Sequence, residues 1–323
     1  MPRSDFISFI GRDGETMTRE ERIQQIGFDY AAKDKVWSDV CNLCGADDWA
    51  ILTHRDRYGF PARTVACARC GLTMMNPRMT AGEYASFYER WYRPLVSAYH
   101  GRLIDSVSIQ EEQQAYSEEM EQLVRPYLAS RSGQTFLDVG GSTGVVAIHF
   151  AKCFGLVPTV IDPAPDEIHA ADQFGLKTIT ALMEEWEPGA LRYDVVGMFQ
   201  TIDHLLDVKA TLEKIRAILK PDGLLLVDIV DFRAAYLKNG SVELATKIDH
   251  PYGLTESVME CYLARTGFAI VRRAYSADHH LVAYVCRLAE PDASRLPDPS
   301  EVKALFRELR YVQNARPLPG GKA

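Results

Sequence analysis

The chain has 323 residues, 47% of them hydrophobic and 25% charged, the balance of a folded globular protein, which excludes wholesale disorder. Its 36 basic and 44 acidic side chains leave a net charge of −8, which repels a phosphate backbone unless a local basic face overrides it. No apolar run approaches the roughly 20 residues that span a bilayer, and Met1 to Glu21 is too charged to read as a signal peptide. The chain therefore reads as soluble and cytoplasmic, with no membrane partner.

Thr18 and Glu21 stand at capping-box spacing ahead of Ile23, Ile26 and Tyr30, which predicts a helix over 19–33. From Val36 to Arg78 the text changes to cysteines, glycines and short β-like pieces. Of the seven cysteines, four fall in two close pairs, Cys41-Asn42-Leu43-Cys44-Gly45 and Cys67-Ala68-Arg69-Cys70-Gly71. Two residues between cysteines let both thiolates reach one ion from a single turn, and the trailing glycine permits that turn. Cys41, Cys44, Cys67 and Cys70 thus read as a closed, structural zinc site in a reducing compartment. An iron–sulfur cluster and four unrelated cysteines are the weaker alternatives. The same segment has five arginines against four aspartates and no aromatic–basic interleaving, which argues against nucleic acid.

From Thr80 to Leu128 the pattern turns helical, with aromatics (Tyr84, Phe87, Tyr88, Trp91, Tyr92, Tyr99) that read first as packing residues. From Gln134 short apolar strands alternate with amphipathic helices. Strands are expected at 135–139, 157–161, 177–180, 194–199, 224–229, 269–273 and 281–287, with helices near 145–153, 165–173, 208–219 and 255–266. That alternation predicts an α/β fold, a doubly wound, Rossmann-like, mostly parallel sheet of seven strands. Pro221-Asp222-Gly223 reads as a tight turn before a strand, and Ser300 to Val312 as one more helix after a linker rich in proline and aspartate. Cys153, Cys261 and Cys286 read as ordinary packing residues.

Phe136-Leu137-Asp138-Val139-Gly140-Gly141-Ser142-Thr143-Gly144 is an apolar strand entering a glycine-rich turn and then a helix. The register lacks two glycines of the dinucleotide fingerprint and the Gly-Lys-Ser/Thr of a P-loop. It resembles the first motif of the class I S-adenosylmethionine-dependent methyltransferases, D/E-x-G-x-G-x-G, with Ser142 in place of the middle glycine. The acid that ends the next strand in that family, where it holds the ribose hydroxyls, corresponds to Asp162. Tyr193-Asp194-Val195-Val196 leading to Gln200, and Leu219 to Leu225, match two further elements. The resemblance implies S-adenosylmethionine as cofactor, held by Asp138, Gly140, Gly141, Ser142, Gly144, Asp162, Pro163, Met183 and Gln200.

A cysteine-rich ribbon ahead of an aromatic helix is similar to the subgroup that includes the sugar C-methyltransferases, which act on nucleotide-linked keto sugars. Their Glu-His pair, whose histidine is the proposed base, corresponds to Asp249-His250 here, whereas their tyrosine two residues before the acid is Lys247. Their C-terminal substrate domain has no counterpart in the 35 residues after Leu288. The resemblance implies His250 and Asp249 as catalytic residues and a small-molecule acceptor, a sugar or nucleotide-linked sugar methylated on oxygen or carbon. A zinc-ribbon RNA methyltransferase and a non-catalytic cofactor-binding scaffold are the alternatives.

By placement at the carboxyl ends of the strands, Glu184, Asp231, Asp278, His279 and His280 are further candidates. His204, where a helix begins, reads as structural or as a substrate-edge residue. The long connection from Asp231 to Gly253 reads as a substrate lid or wall. The expected organisation is a helical segment (1–35), the zinc ribbon (36–80), a helical connector or lid (81–130), the methyltransferase domain (131–290), and a linker, helix and tail (291–323).

Overall fold

The computed structural model describes residues 17–314. Most of the stretch read as no signal peptide, and the Pro-Gly-Gly-Lys-Ala tail, lie outside the described residues. Helix α1 (Arg19–Gln25) starts on the expected capping box: the Thr18 hydroxyl accepts from the Glu21 amide at 3.3 Å, and the Glu21 carboxylate accepts from the Thr18 amide at 2.8 Å. It stops short of residue 33 because Gly27, at φ 72°, turns the chain while its amide bonds the Gln24 carbonyl. Only a residue without Cβ enters that region at no steric cost.

Five short strands follow: β1 (Lys35–Val36), β2 (Trp49–Thr53), β3 (Thr64–Cys67), β4 (Thr73–Met75) and β5 (Arg78–Met79). Three helices come next, α2 (Ala81–Arg90), α3 (Tyr92–His100) and α4 (Gln110–Leu128). The alternating region runs β6 (Thr135–Val139), α5 (Val145–Phe154), β7 (Val157–Asp162), α6 (Pro165–Gln173), β8 (Lys177–Thr180) and β9 (Tyr193–Met198). A 3-10 turn (Ile202–His204) precedes α7 (Val208–Ile218) and β10 (Leu219–Val230). The chain closes with α8 (Phe232–Asn239), α9 (Val242–Ala245), β11 (Tyr252–Gly253), α10 (Glu256–Arg265), β12 (Phe268–Tyr275), β13 (Leu281–Leu288) and α11 (Pro299–Asn314). The sheet has seven strands in the order β12-β13-β10-β9-β6-β7-β8, the mostly parallel α/β architecture expected.

The chain divides into two compact units. The first holds the segments up to Asp34, Met79–Phe199 and Ile218–Gly223. Its strands β9, β6, β7 and β8 are parallel, with Thr135 to Val139 opposite Val157 to Ile161. Phe136, Leu137, Val160, Val195 and Val196 are fully buried, which is why these strands read as continuous apolar runs rather than alternating ones. Asp194 serves this framework: its carboxylate accepts from the Thr135 amide at 2.8 Å and from Lys220 Nζ at 2.7 Å. Tyr84 and Phe87 of α2 are fully buried, and the Phe28 ring lies 5.4 Å from Phe87 and 5.6 Å from Trp91.

The second unit holds Lys35–Arg78, Gln200–Ala217 and the chain from Leu224 onward. In it β10, β13 and β12 pair antiparallel, and a small sheet runs β11-β4-β3-β2. Leu52 and Ala66 of that sheet share a core with Phe232, Tyr236 and Val242 of α8 and α9 and with Leu309 and Val312 of α11. Each large apolar side chain buried there contributes about 1.5–3 kcal/mol.

One expectation is corrected. The extended stretch β10 begins at Leu219 and includes Pro221-Asp222-Gly223, although pairing with β13 starts only at Leu224. The connection 231–253, expected as a substrate lid or wall, forms α8 and α9, then pairs through Tyr252 and Gly253 with Met74 and Thr73 of the cysteine-rich ribbon. No helix among the described residues is long and apolar enough to cross a membrane.

Candidate functional site

In the first unit, β6 delivers Asp138 into a buried position beneath the glycine-rich turn. Neither carboxylate oxygen has a hydrogen-bond partner among the described residues, and burial, with Asp162 nearby, pushes the carboxyl up to about 8. A Cβ added to Gly141 would stand 2.7 Å from that carboxylate. Gly140 and Gly144 have φ 69° and 77°, and a Cβ on Gly144 would meet Leu176 at 2.3 Å. Ser142, which replaces a glycine of the motif, also sits at positive φ, 48°. Its strain is offset by two anchors: its amide donates to Asp162 Oδ2 at 3.0 Å and its hydroxyl to Glu167 Oε2 at 2.8 Å.

Asp162 ends β7 and also accepts from the Ala164 amide at 2.9 Å; burial pushes it up to about 6. Glu167, buried on α6, is paired with Arg93 at 2.7 Å. Neither Glu167 nor Arg93 was legible in the sequence, because the meeting of Glu167 with Ser142 and with Arg93 depends on how α3 and α6 pack. Pro163 directly follows Asp162, and Met183 is buried just after β8 in the same unit. Gln200 falls in the second unit, at φ 50°, its amide donating to Asp228 Oδ1 at 2.6 Å.

The second unit gathers charges around His250. Its Nδ1 lies 2.5 Å from Asp203 Oδ2, and its Nε2 lies 2.6 Å from Lys247 Nζ and 3.5 Å from Asp249 Oδ2. With Nδ1–H donated to Asp203, the Nε2 lone pair faces Lys247. The His204 ring centroid is 4.1 Å away. Burial holds His204 down to about 3, with His250 beside it, and burial likewise lowers Lys247. His250 and Lys247 hold Asp203 far below the usual carboxylate range despite its burial. Asp203 is the partner that sequence reasoning missed; the only signal was its place beside His204 in Thr201-Ile202-Asp203-His204.

The ribbon holds this cluster in place. Asp56 accepts from the Ile248 amide at 3.0 Å through one oxygen and from the Tyr58 and Phe60 amides through the other. Arg57 N bonds Thr246 O, and Met75 N bonds Pro251 O. His250, Lys247 and Asp203 line a cavity of about 120 Å³ together with Thr64, Thr73 and His280. The Thr64 hydroxyl and His280 Nδ1 are buried there without hydrogen-bond partners among the described residues. Asp231 instead caps α8, accepting from the Ala234 amide at 2.8 Å, and Asp278 is an exposed partner of Lys238.

Cys41, Cys44, Cys67 and Cys70 converge, with Sγ–Sγ distances of 3.5 Å for Cys41–Cys70 and for Cys44–Cys67. Four thiol sulfurs brought together and largely buried are the donor set of a closed tetrahedral site. Within its first knuckle, Asn42 donates to Asp207 Oδ1 at 2.9 Å and accepts from the Tyr262 hydroxyl at 2.8 Å.

A family model described as a methyltransferase domain matches residues 110–273. A ubiquinone biosynthesis O-methyltransferase of Rhodopseudomonas palustris (strain BisB5) is 33% identical over 106 residues, 31% of this chain and 41% of that protein. The C-methyltransferase NovU of Streptomyces niveus is 25% identical over 231 residues, 64% of this chain and 50% of that protein. Among solved structures, the PH0226 protein of Pyrococcus horikoshii OT3 is 17% identical, covering 55% of this chain and 91% of that one with a TM-score of 0.47. The chain spans two fifths to half of the length of these curated relatives.

Proposed function

Because the chain belongs to the class I S-adenosylmethionine-dependent methyltransferase family, we propose that it transfers a methyl group from S-adenosylmethionine to a small organic acceptor. The observation that carries this reading is the cradle at Gly140–Gly144 above a buried, partnerless Asp138 carboxylate. An ammonium group is the natural partner for such a carboxylate, and the glycines let the turn lie close over it. Asp162 supplies a carboxylate suited to two vicinal hydroxyls, with Pro163 and Met183 as further contacts. When bound, the cofactor supplies an activated sulfonium methyl for in-line displacement.

The chain's remaining task is to orient the acceptor and take its proton. In this reading His250 Nε2 is the base once the acceptor hydroxyl takes the place of the Lys247 amine on it, Asp203 fixes the tautomer from the other side of the ring, and Asp249 and Lys247 balance the charge. The partnerless Thr64 hydroxyl and His280 nitrogen suit a polyhydroxylated acceptor, so the favoured acceptor is a sugar or nucleotide-linked sugar. Cys41, Cys44, Cys67 and Cys70 would hold one structural Zn2+, contributing folding free energy to a segment with little core of its own. Titration calorimetry with S-adenosylmethionine and S-adenosylhomocysteine, beside Asp162→Ala, tests the cofactor. Binding abolished by that substitution is expected; no binding by the folded chain overturns the reading. A panel of nucleotide-linked keto sugars, with His250→Ala as control, then tests the acceptor.

A further inference from the structure

A second cluster of metal-type donors lies on the helix pair α4 and α5, apart from the residues used above. Glu121 comes from α4, while His149 and Cys153 stand four residues apart on α5 and so share one face. Glu121 Oε2 is 2.7 Å from His149 Nε2 and 3.4 Å from Cys153 Sγ, and that sulfur is 3.6 Å from the same Nε2.

A nucleophile triad runs in series, with the acid on one ring nitrogen and the nucleophile on the other. Here the carboxylate and the thiol converge on one nitrogen, and Nδ1 faces the Gln114 amide at 3.5 Å. Convergence of three donor atoms from three side chains on one point is the arrangement of metal ligation. Tetrahedral donors about 2.0–2.3 Å from zinc stand roughly 3.3–3.7 Å apart, close to the two sulfur distances; only the Glu121–His149 pair has to open. The second Glu121 oxygen is held by Arg125, which leaves Oε2 for the cluster. Cys153 is exposed, which gives an ion a way in.

We propose that Glu121, His149 and Cys153 form a second divalent transition-metal site of the zinc class, with three protein donors and one position open to water. Binding would release the Cys153 thiol proton, since the thiolate is the ligand. The test is equilibrium dialysis of the full chain against Zn2+, with metal counted per chain after buffer exchange. One zinc more per chain is expected in the wild type than in His149→Ala or Cys153→Ser, whatever the occupancy of the four-cysteine cluster. Cys286→Ser, at a buried strand position, should keep the wild-type count. Equal counts in wild type and in the cluster variants overturn the proposal. Glu121→Gln supplies the same comparison should His149→Ala not fold. This count is independent of cofactor binding and methyl transfer, so it stands or falls apart from the proposed function.

Discussion

Asp203 touches His250 at 2.5 Å from the opposite side of the ring to Lys247, so it governs which nitrogen carries the proton. Asp203→Asn is expected to lower kcat about 10²-fold or more, the scale of general base catalysis, while leaving cofactor affinity in place. Partial rescue by Asp203→Glu would distinguish positioning from mere packing; unchanged kcat in Asp203→Asn would remove it from the mechanism. Gly141 is the corresponding test in the other unit. Its missing Cβ would lie 2.7 Å from the Asp138 carboxylate, against a buried group that has nowhere to shift. Gly141→Ala should abolish binding of S-adenosylmethionine in calorimetry, and full affinity would refute the cradle. The glycines and Asp138 were legible because the motif is contiguous. Asp203 was not, because 46 positions of chain separate it from His250 and nothing local marks the pair.

At the scale of elements, the connection between β10 and α10 depends on the ribbon. Its strand β11 pairs with β4, Asp56 holds the Ile248 amide, and the Phe232 and Tyr236 side chains pack with Leu52 and Ala66. If the four-cysteine cluster holds the proposed Zn2+, stripping that metal, or Cys44→Ser, should therefore cost turnover and also expose 231–253 to protease. Unchanged cleavage in that segment after metal removal would show that the cluster does not support it. Gly253 gives a sharper test, since a Cβ there would stand 2.8 Å from the Phe232 ring. Gly253→Ala should destabilise the chain by about 1–3 kcal/mol in urea unfolding, the usual cost of overpacking. The strands and their helices were legible from apolar runs and their spacing. The α8–α9 pair was not, because its apolar face matches the ribbon and α11, which lie far away in sequence.

For the whole molecule, three buried carboxyls set the pH response. Asp56 and Asp138 are pushed up to about 8 and Asp162 to about 6, chiefly by burial, against about 3.9 in an unfolded chain. A raised carboxyl holds its proton longer in the folded state. Its contribution is therefore full below about pH 4 and is lost as pH rises through 6 and then 8. Asp203, lowered by His250 and Lys247, and His204, held down to about 3 by burial, act in the opposite sense and lose their contribution as pH falls through the acid range. Thermal unfolding of the cofactor-free chain should thus show falling stability between pH 5 and 8, less steeply in Asp138→Asn. Equal slopes in the two proteins would show that Asp138 is ionised throughout.

The sequence by itself determined what contiguous chemistry and periodicity can carry. It specified the order of strands and helices, the glycine-rich turn with its two acids, and the pair of cysteine knuckles. Each of these is encoded within a few residues or by apolar spacing, and backbone sterics and burial then leave little choice. Tertiary structure alone decided the rest. It seated Asp203 on His250, Glu167 on Ser142 and on Arg93, Asp56 beneath the histidine segment, and Glu121 on His149 and Cys153. Those meetings depend on how packed helices and sheets bring distant segments within hydrogen-bond range, and a charged residue's own neighbours in the chain carry no record of them.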